Sequence, residues 1–209
     1  MFHSSKFGVF AAYKFYGGQI LQGISVTHIS QNRNPERLTQ PATERDRVQG
    51  LLTAAIVLVE YGDYQCPNCK EAHAIIQQVQ QQLGSELCFV FRHFPLTQIH
   101  PQARQAAEAA EVASDQDMFW QMHETLFARQ PTLGDGCLVQ YANDLGLNMS
   151  RFLWNFSQHV YRDRVQSDFL SGVASGVTGT PTFFINNVPL ESNWNLEALM
   201  AAIERSRTF

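Results

Sequence analysis

Two cysteines separated by two residues, Cys66-Pro67-Asn68-Cys69, follow closely on the apolar run Ala55-Ile-Val-Leu-Val-Glu-Tyr61. That run is short and rich in β-branched residues, as expected of a strand buried on both faces. Pro67 then falls at the first position of a helix, where its missing N–H costs nothing. The chain must pass from buried strand to helix within a few residues, and it carries both thiols at the junction. Amides at a helix N-terminus hydrogen-bond a sulfur anion, so Cys66 is expected to be the acidic, attacking thiol.

The stretch after Pro67 has no internal Gly or Pro up to about Leu83. It keeps Ala72, Ile75, Ile76, Val79 and Leu83 on one face and meets Gly84, a helix stop. Leu87-Cys-Phe-Val-Phe91 is the next predicted strand, so strand, helix and strand form a βαβ unit with a parallel pair and a right-handed crossover. Helical patterns are predicted over Pro101 to Ser114, Met118 to Arg129, about Cys137 to Leu145, and about Arg151 to Gly172, the last broken. This block is far longer than a parallel crossover needs, and it reads as a helical subdomain inserted at about residues 98–175. Thr182-Phe-Phe-Ile185 is a third strand, Asn186-Asn187 a hairpin turn and Val188-Pro-Leu190 a short edge strand. Trp194 to Arg205 closes the body, which spans 38–209, as an amphipathic helix. Residues 1–37 read as a separate arm and linker.

Composition removes several function classes. With 44% hydrophobic residues and 15 Phe in 209 residues, the chain can bury a full core without disulfide staples. Four cysteines, two of them paired in sequence, do not form a secreted disulfide framework at this length. A net charge of −4 without a Lys/Arg cluster leaves no footprint for nucleic acid or an anionic membrane. The first 30 residues hold no apolar stretch of signal-peptide length, and Ala54 to Val59 is too short to span a bilayer, so a cytoplasmic protein is expected.

Four segments together carry a resemblance. They are Val57-Leu-Val-Glu-Tyr-Gly-Asp-Tyr-Gln-Cys-Pro-Asn-Cys69, Phe91-Arg-His-Phe-Pro-Leu96, Phe119-Trp-Gln-Met-His123 and Gly176-Val-Thr-Gly-Thr-Pro-Thr-Phe-Phe-Ile185. From about Leu38 onward the chain resembles the DsbA-like thiol–disulfide oxidoreductases of the thioredoxin superfamily. The resemblance implies an α/β thioredoxin fold with an inserted helical subdomain, a cis Thr180–Pro181 peptide beside the cysteines, and no dissolved cofactor. It implies protein thiols and disulfides, or small thiols such as glutathione, as partners. Members of this family also occur fused to sodium/proton antiporters, a context in which residues 1–37 would be a remnant. Asn68 stands where DsbA proper has His, so no imidazolium shares the thiolate's charge and a less oxidising site is expected. Arg47 stands where the family often has His, and the sequence offers no reason.

The site residues follow, each beside its plainer reading. Cys66 is the exposed nucleophile and Cys69 the resolving thiol; the alternative is an idle cysteine pair. Glu60, six residues before Cys66, exchanges a proton with Cys69 if burial raises its pKa, or is a partly exposed strand-end residue. Pro67, Asn68, Thr180 and Pro181 border the substrate, with Thr180–Pro181 offering backbone to an extended chain; the alternative is a trans turn entering an edge strand. Cys66, Cys69 and His73, at i, i+3 and i+7, can face one way and hold zinc, although no fourth ligand is evident. Lys70 in place of His after Cys69 excludes covalent haem. A zinc-binding or redox-inert interaction module, and a glutathione-linked transferase or isomerase, remain the competing classes; Cys69 argues against the isomerase. Cys88 and Cys137 read as small core residues, His93 and His100 as structural, and Gly176 and Gly179 as turn positions.

Overall fold

Burial with alternating side chains builds a five-stranded sheet in the order β1-β3-β2-β4-β5. The strands are β1 (Arg47–Gln49), β2 (Ile56–Gly62), β3 (Leu87–His93), β4 (Thr182–Ile185) and β5 (Val188–Pro189). The computed structural model describes residues 37–191 and 194–207, so the predicted arm, Arg37 apart, lies outside the described residues. Strand β2 pairs parallel with β3, and the other neighbours are antiparallel. The parallel pair is joined by α1 (Pro67–Leu83), which ends at Gly84 with φ of 53°. Both boundaries are those that Pro67 and Gly84 signal in the sequence.

Five helices lie between β3 and β4: α2 (Ala103–Ser114), α3 (Phe119–Ala128), α4 (Asp135–Asp144), α5 (Met149–Ser157) and α6 (Arg162–Ala174). The long predicted pattern over 151–172 is broken into α5 and α6, with His159 in the left-handed region at φ of 52° between them. The hairpin after β4 turns on Asn186 and Asn187, both at positive φ (48° and 70°), a conformation that asparagine tolerates better than most residues. Helix α7 (Leu196–Ser206) is capped by Asn195, whose side chain accepts from the Ala198 N–H at 2.9 Å. Gly176 has the positive φ expected of a turn, but Gly179 does not, and its Cβ position is open.

The period of two along β2 separates two cores. Ile56 and Leu58 face α1 together with Phe89, Phe91, Phe183 and Ile185, while Val59 and Tyr61 face the other side with Cys88, Val90 and Phe184. Cys88 and Cys137 belong to these different cores, so they do not form a second redox pair. Strand β1 has no counterpart among the predicted elements. It is three half-buried residues whose pairing with Phe89–Phe91 of β3, not their own pattern, makes them a strand.

Candidate active site

Alternation along β2 points Glu60 toward α1, the side that carries the cysteines. In register it lies between Phe91 of β3 and Phe183 of β4, all three buried. An apolar side chain in that row would contribute about 2 kcal/mol. Glu60 is instead 2% exposed and its Oε1 has no hydrogen-bond partner. Such an unpaired buried polar atom costs about 1–3 kcal/mol. Burial first, and the charge of Cys66 second, push the Glu60 carboxyl up to about 8. The reading of Glu60 as a strand-end surface residue is thereby removed.

The cysteines are both free thiols, and they differ sharply. A hydrogen bond from Cys69 is the largest influence on Cys66 and lowers its pKa; burial works against it. Thr180 and the backbone amides of Cys69 and Asn68 add to the lowering, which brings Cys66 to about 5. The Thr180 Oγ1 is itself buried and has no hydrogen-bond partner. Cys69 is pushed well up, by burial first, then by the hydrogen bond it gives Cys66 and by the nearby charges of Glu60 and Cys66. One thiol is an anion at neutral pH and the other is held protonated.

Cys66 is not exposed as expected from its position; it is 6% exposed. The cover comes from across the sheet, where the Thr180 carbonyl lies 3.4 Å from its sulfur. The Thr180–Pro181 peptide is cis, and both residues are half-buried. Pro67 and Asn68 are exposed beside the sulfur. The 67–68 turn and the 180–181 segment thus flank the Cys66 sulfur.

The loop that presents the cysteines is held from outside the βαβ unit. Asp63 is buried; its carboxylate accepts from Gln65 N–H (2.7 Å), from Leu96 N–H (2.9 Å) and from His100 Nδ1 (2.8 Å). Gln130, just after α3, donates its Nε2 to the carbonyls of Tyr64 (2.9 Å) and Cys66 (2.8 Å). No sequence signal singles out Gln130, a polar residue 64 positions away. His100 is indeed structural, as a latch on the Asp63 turn.

A second charged cluster lies where β1 and β3 meet α2. Arg47 Nε donates to both Glu111 oxygens at 3.1 Å, and His93 Nε2 lies 2.9 Å from Glu111 Oε1. Burial alone would raise the Glu111 pKa, but hydrogen bonds from His93 and Arg47, and their charges, bring it down to about 2. Arg47 thus has a purpose: it neutralises an acid that the sheet buries against the helical block. His93 belongs to that scaffold.

The proposed zinc set Cys66, Cys69 and His73 does not come together. Seven residues of helix carry His73 about 10 Å along the axis from Cys66, and its Nε2 pairs instead with Glu124 on α3 at 2.9 Å.

The family model described as thioredoxin matches residues 42–205. The chain is 40% identical over 160 residues to the Na(+)/H(+) antiporter NhaA 1 of Salinispora arenicola, covering 77% of this chain and 24% of the antiporter. The chain thus spans about a quarter of the length of the curated relatives it matches. Among solved structures it is similar to oxidised BdbD from Bacillus subtilis, with 26% identity, a TM-score of 0.72, and 81% and 97% of the two chains covered. It shares the fold of alpha-DsbA1 from Wolbachia pipientis at 19% identity and a TM-score of 0.70, with 80% and 93% covered.

Proposed function

The chain belongs to the thioredoxin family, and on that premise we propose that it is a DsbA-like oxidoreductase that exchanges Cys66–Cys69 between dithiol and disulfide. The observation that carries the reading is the divergence of two neighbouring thiols, one lowered to about 5 and the other raised. The Cys66 thiolate attacks one sulfur of a partner disulfide; a new S–S bond forms, and the partner's other sulfur leaves as thiolate and takes a proton. Cys69 then gives up its proton and attacks Cys66, which releases the second partner thiolate. The partner is reduced by two electrons and the Cys66–Cys69 pair is oxidised by two. Run in reverse, the same steps oxidise a dithiol. Electrons pass between sulfurs only, so the exchange needs no further cofactor.

Glu60 is the base for the second step. Its carboxyl is raised partly by the Cys66 charge, and that charge disappears once Cys66 is bound in the mixed disulfide. The acid is then easier to ionise at the moment Cys69 must be deprotonated. Thr180–Pro181, Pro67 and Asn68 border the attacked sulfur, and the partner is a protein disulfide or a small thiol such as glutathione. Asn68 brings no cation to Cys66, which supports a less oxidising pair than one flanked by His. With the chain in the cytoplasm, exchange would favour reduction of partner disulfides; in an oxidising compartment it would favour their formation.

Equilibration in graded glutathione buffers, read by alkylation and mass spectrometry, tests the proposal. A reversible two-electron transition that Cys66→Ser removes is expected. Absence of any transition in the wild type would overturn the reading.

A further inference from the structure

Among the described residues, one group of metal-ligand type comes together: His73 from α1 and His123 and Glu124 from α3 each offer an atom within 4.8 Å of the others. The His73 ring stacks on Phe127 (centroids 4.8 Å apart) and meets the His123 ring edge-on at 5.2 Å. His73 Nε2 and Gln77 Nε2 both lie 2.9 Å from Glu124 Oε2. His123 is 1% exposed, and its Nδ1 is taken up by the Tyr64 hydroxyl at 2.9 Å, which leaves Nε2 for a ligand.

We propose that His73, His123 and Glu124 form a binding site for a zinc-type divalent cation, separate from the cysteine pair. Two imidazoles and one carboxylate are the donor set that suits zinc among the common biological cations, whereas magnesium and calcium take oxygen ligands. Three protein ligands leave a fourth position for water. Ligand atoms around a tetrahedral zinc stand about 3.3 Å apart, given bonds of roughly 2.0–2.1 Å. Donor atoms already within 4.8 Å need to close by no more than about 1.5 Å, a small adjustment for the Glu124 side chain, which is 47% exposed. The supporting contacts are of the kind that orient metal ligands: Tyr64 holds the plane of the His123 ring, and Gln77 holds the carboxylate. The exposed side of Glu124 also gives the ion a way in. Tyr64 lies two residues before Cys66, so the cation would brace the loop that presents the thiol.

Zinc titration of the oxidised protein against a chromophoric chelator tests the site with the cysteine pair out of play. One zinc per chain is expected, bound at least about 100-fold less tightly by His73→Gln and at least about 10-fold less tightly by Glu124→Gln, since losing a ligand costs no less than losing an outer-shell partner. Zinc K-edge absorption should show nitrogen and oxygen neighbours only. Glu124→Gln alters a half-exposed side chain, so it remains informative even where His73→Gln disturbs packing. No zinc retained by the wild type, equal affinity in the variants, or a sulfur neighbour would each overturn the proposal.

Discussion

Glu60 and Glu111 are both buried acids, 2% and 0% exposed, in one small molecule, yet they are held in opposite charge states. Glu111 meets Arg47 and His93 and is lowered to about 2; Glu60 lies between two phenylalanines with its Oε1 unpartnered and is raised to about 8. Burial is common to both, so the partners decide. At the junction of the sheet and helical block an ionised acid is fully compensated and serves the fold. Under the cysteines an uncompensated acid weakens the fold, and it lies near enough to Cys69 for its charge to raise that thiol.

The largest break in that comparison comes from Glu111→Ala. Arg47 would be left beside His93 without the buried counter-charge, and stability should fall by about 3–5 kcal/mol in urea unfolding. Removal of the other acid should do the opposite. Glu60→Gln should slow resolution of the mixed disulfide by roughly 100-fold at neutral pH, the usual size of a general-base contribution, while stability holds or rises. Rapid-quench trapping of the mixed disulfide reads the first effect and denaturant unfolding the second.

The pH dependence sharpens the contrast. Between the ordinary carboxyl value of 4.5 and about 8, folded Glu60 keeps a proton that the unfolded chain has released. The unfolded state then binds fewer protons, so the Glu60 contribution to stability falls as pH rises through that window. Glu60→Gln should therefore gain on the wild type by roughly 3–4 kcal/mol between pH 5 and pH 8. Comparison at each pH cancels the opposite slope from Cys66, whose folded value is lowered.

Much of the frame was legible in the sequence. Pro67 and Gly84 bracket α1 because each has a backbone reason to sit where a helix starts or stops, and the apolar runs of β2 and β3 are long enough to register as buried strands. Strand β1 was not legible, since three half-buried residues carry no period of their own. The same holds for contacts between distant residues. Arg47 finds Glu111 64 positions away, inside an alanine-rich helix, and Gln130 reaches back 64 positions to the Cys66 carbonyl. The burial of Cys66 was missed for the same reason: the cover is Thr180, which only β4 brings alongside.

Smaller effects should separate latch from scaffold. Gln130→Ala removes donors to the carbonyls of Tyr64 and Cys66 and should cost about 1–2 kcal/mol, with faster amide exchange at residues 64–66. Arg207→Ala, which loses an exposed pair with Glu86, should change stability by less than about 0.5 kcal/mol.

The unequal thiols are tested most directly by following thiolate absorbance of the reduced protein against pH, with Cys66→Ser as the control. An ionisation near 5 that vanishes in the variant is expected. A first ionisation near the ordinary cysteine value of about 8.5, shared by both thiols, would contradict it.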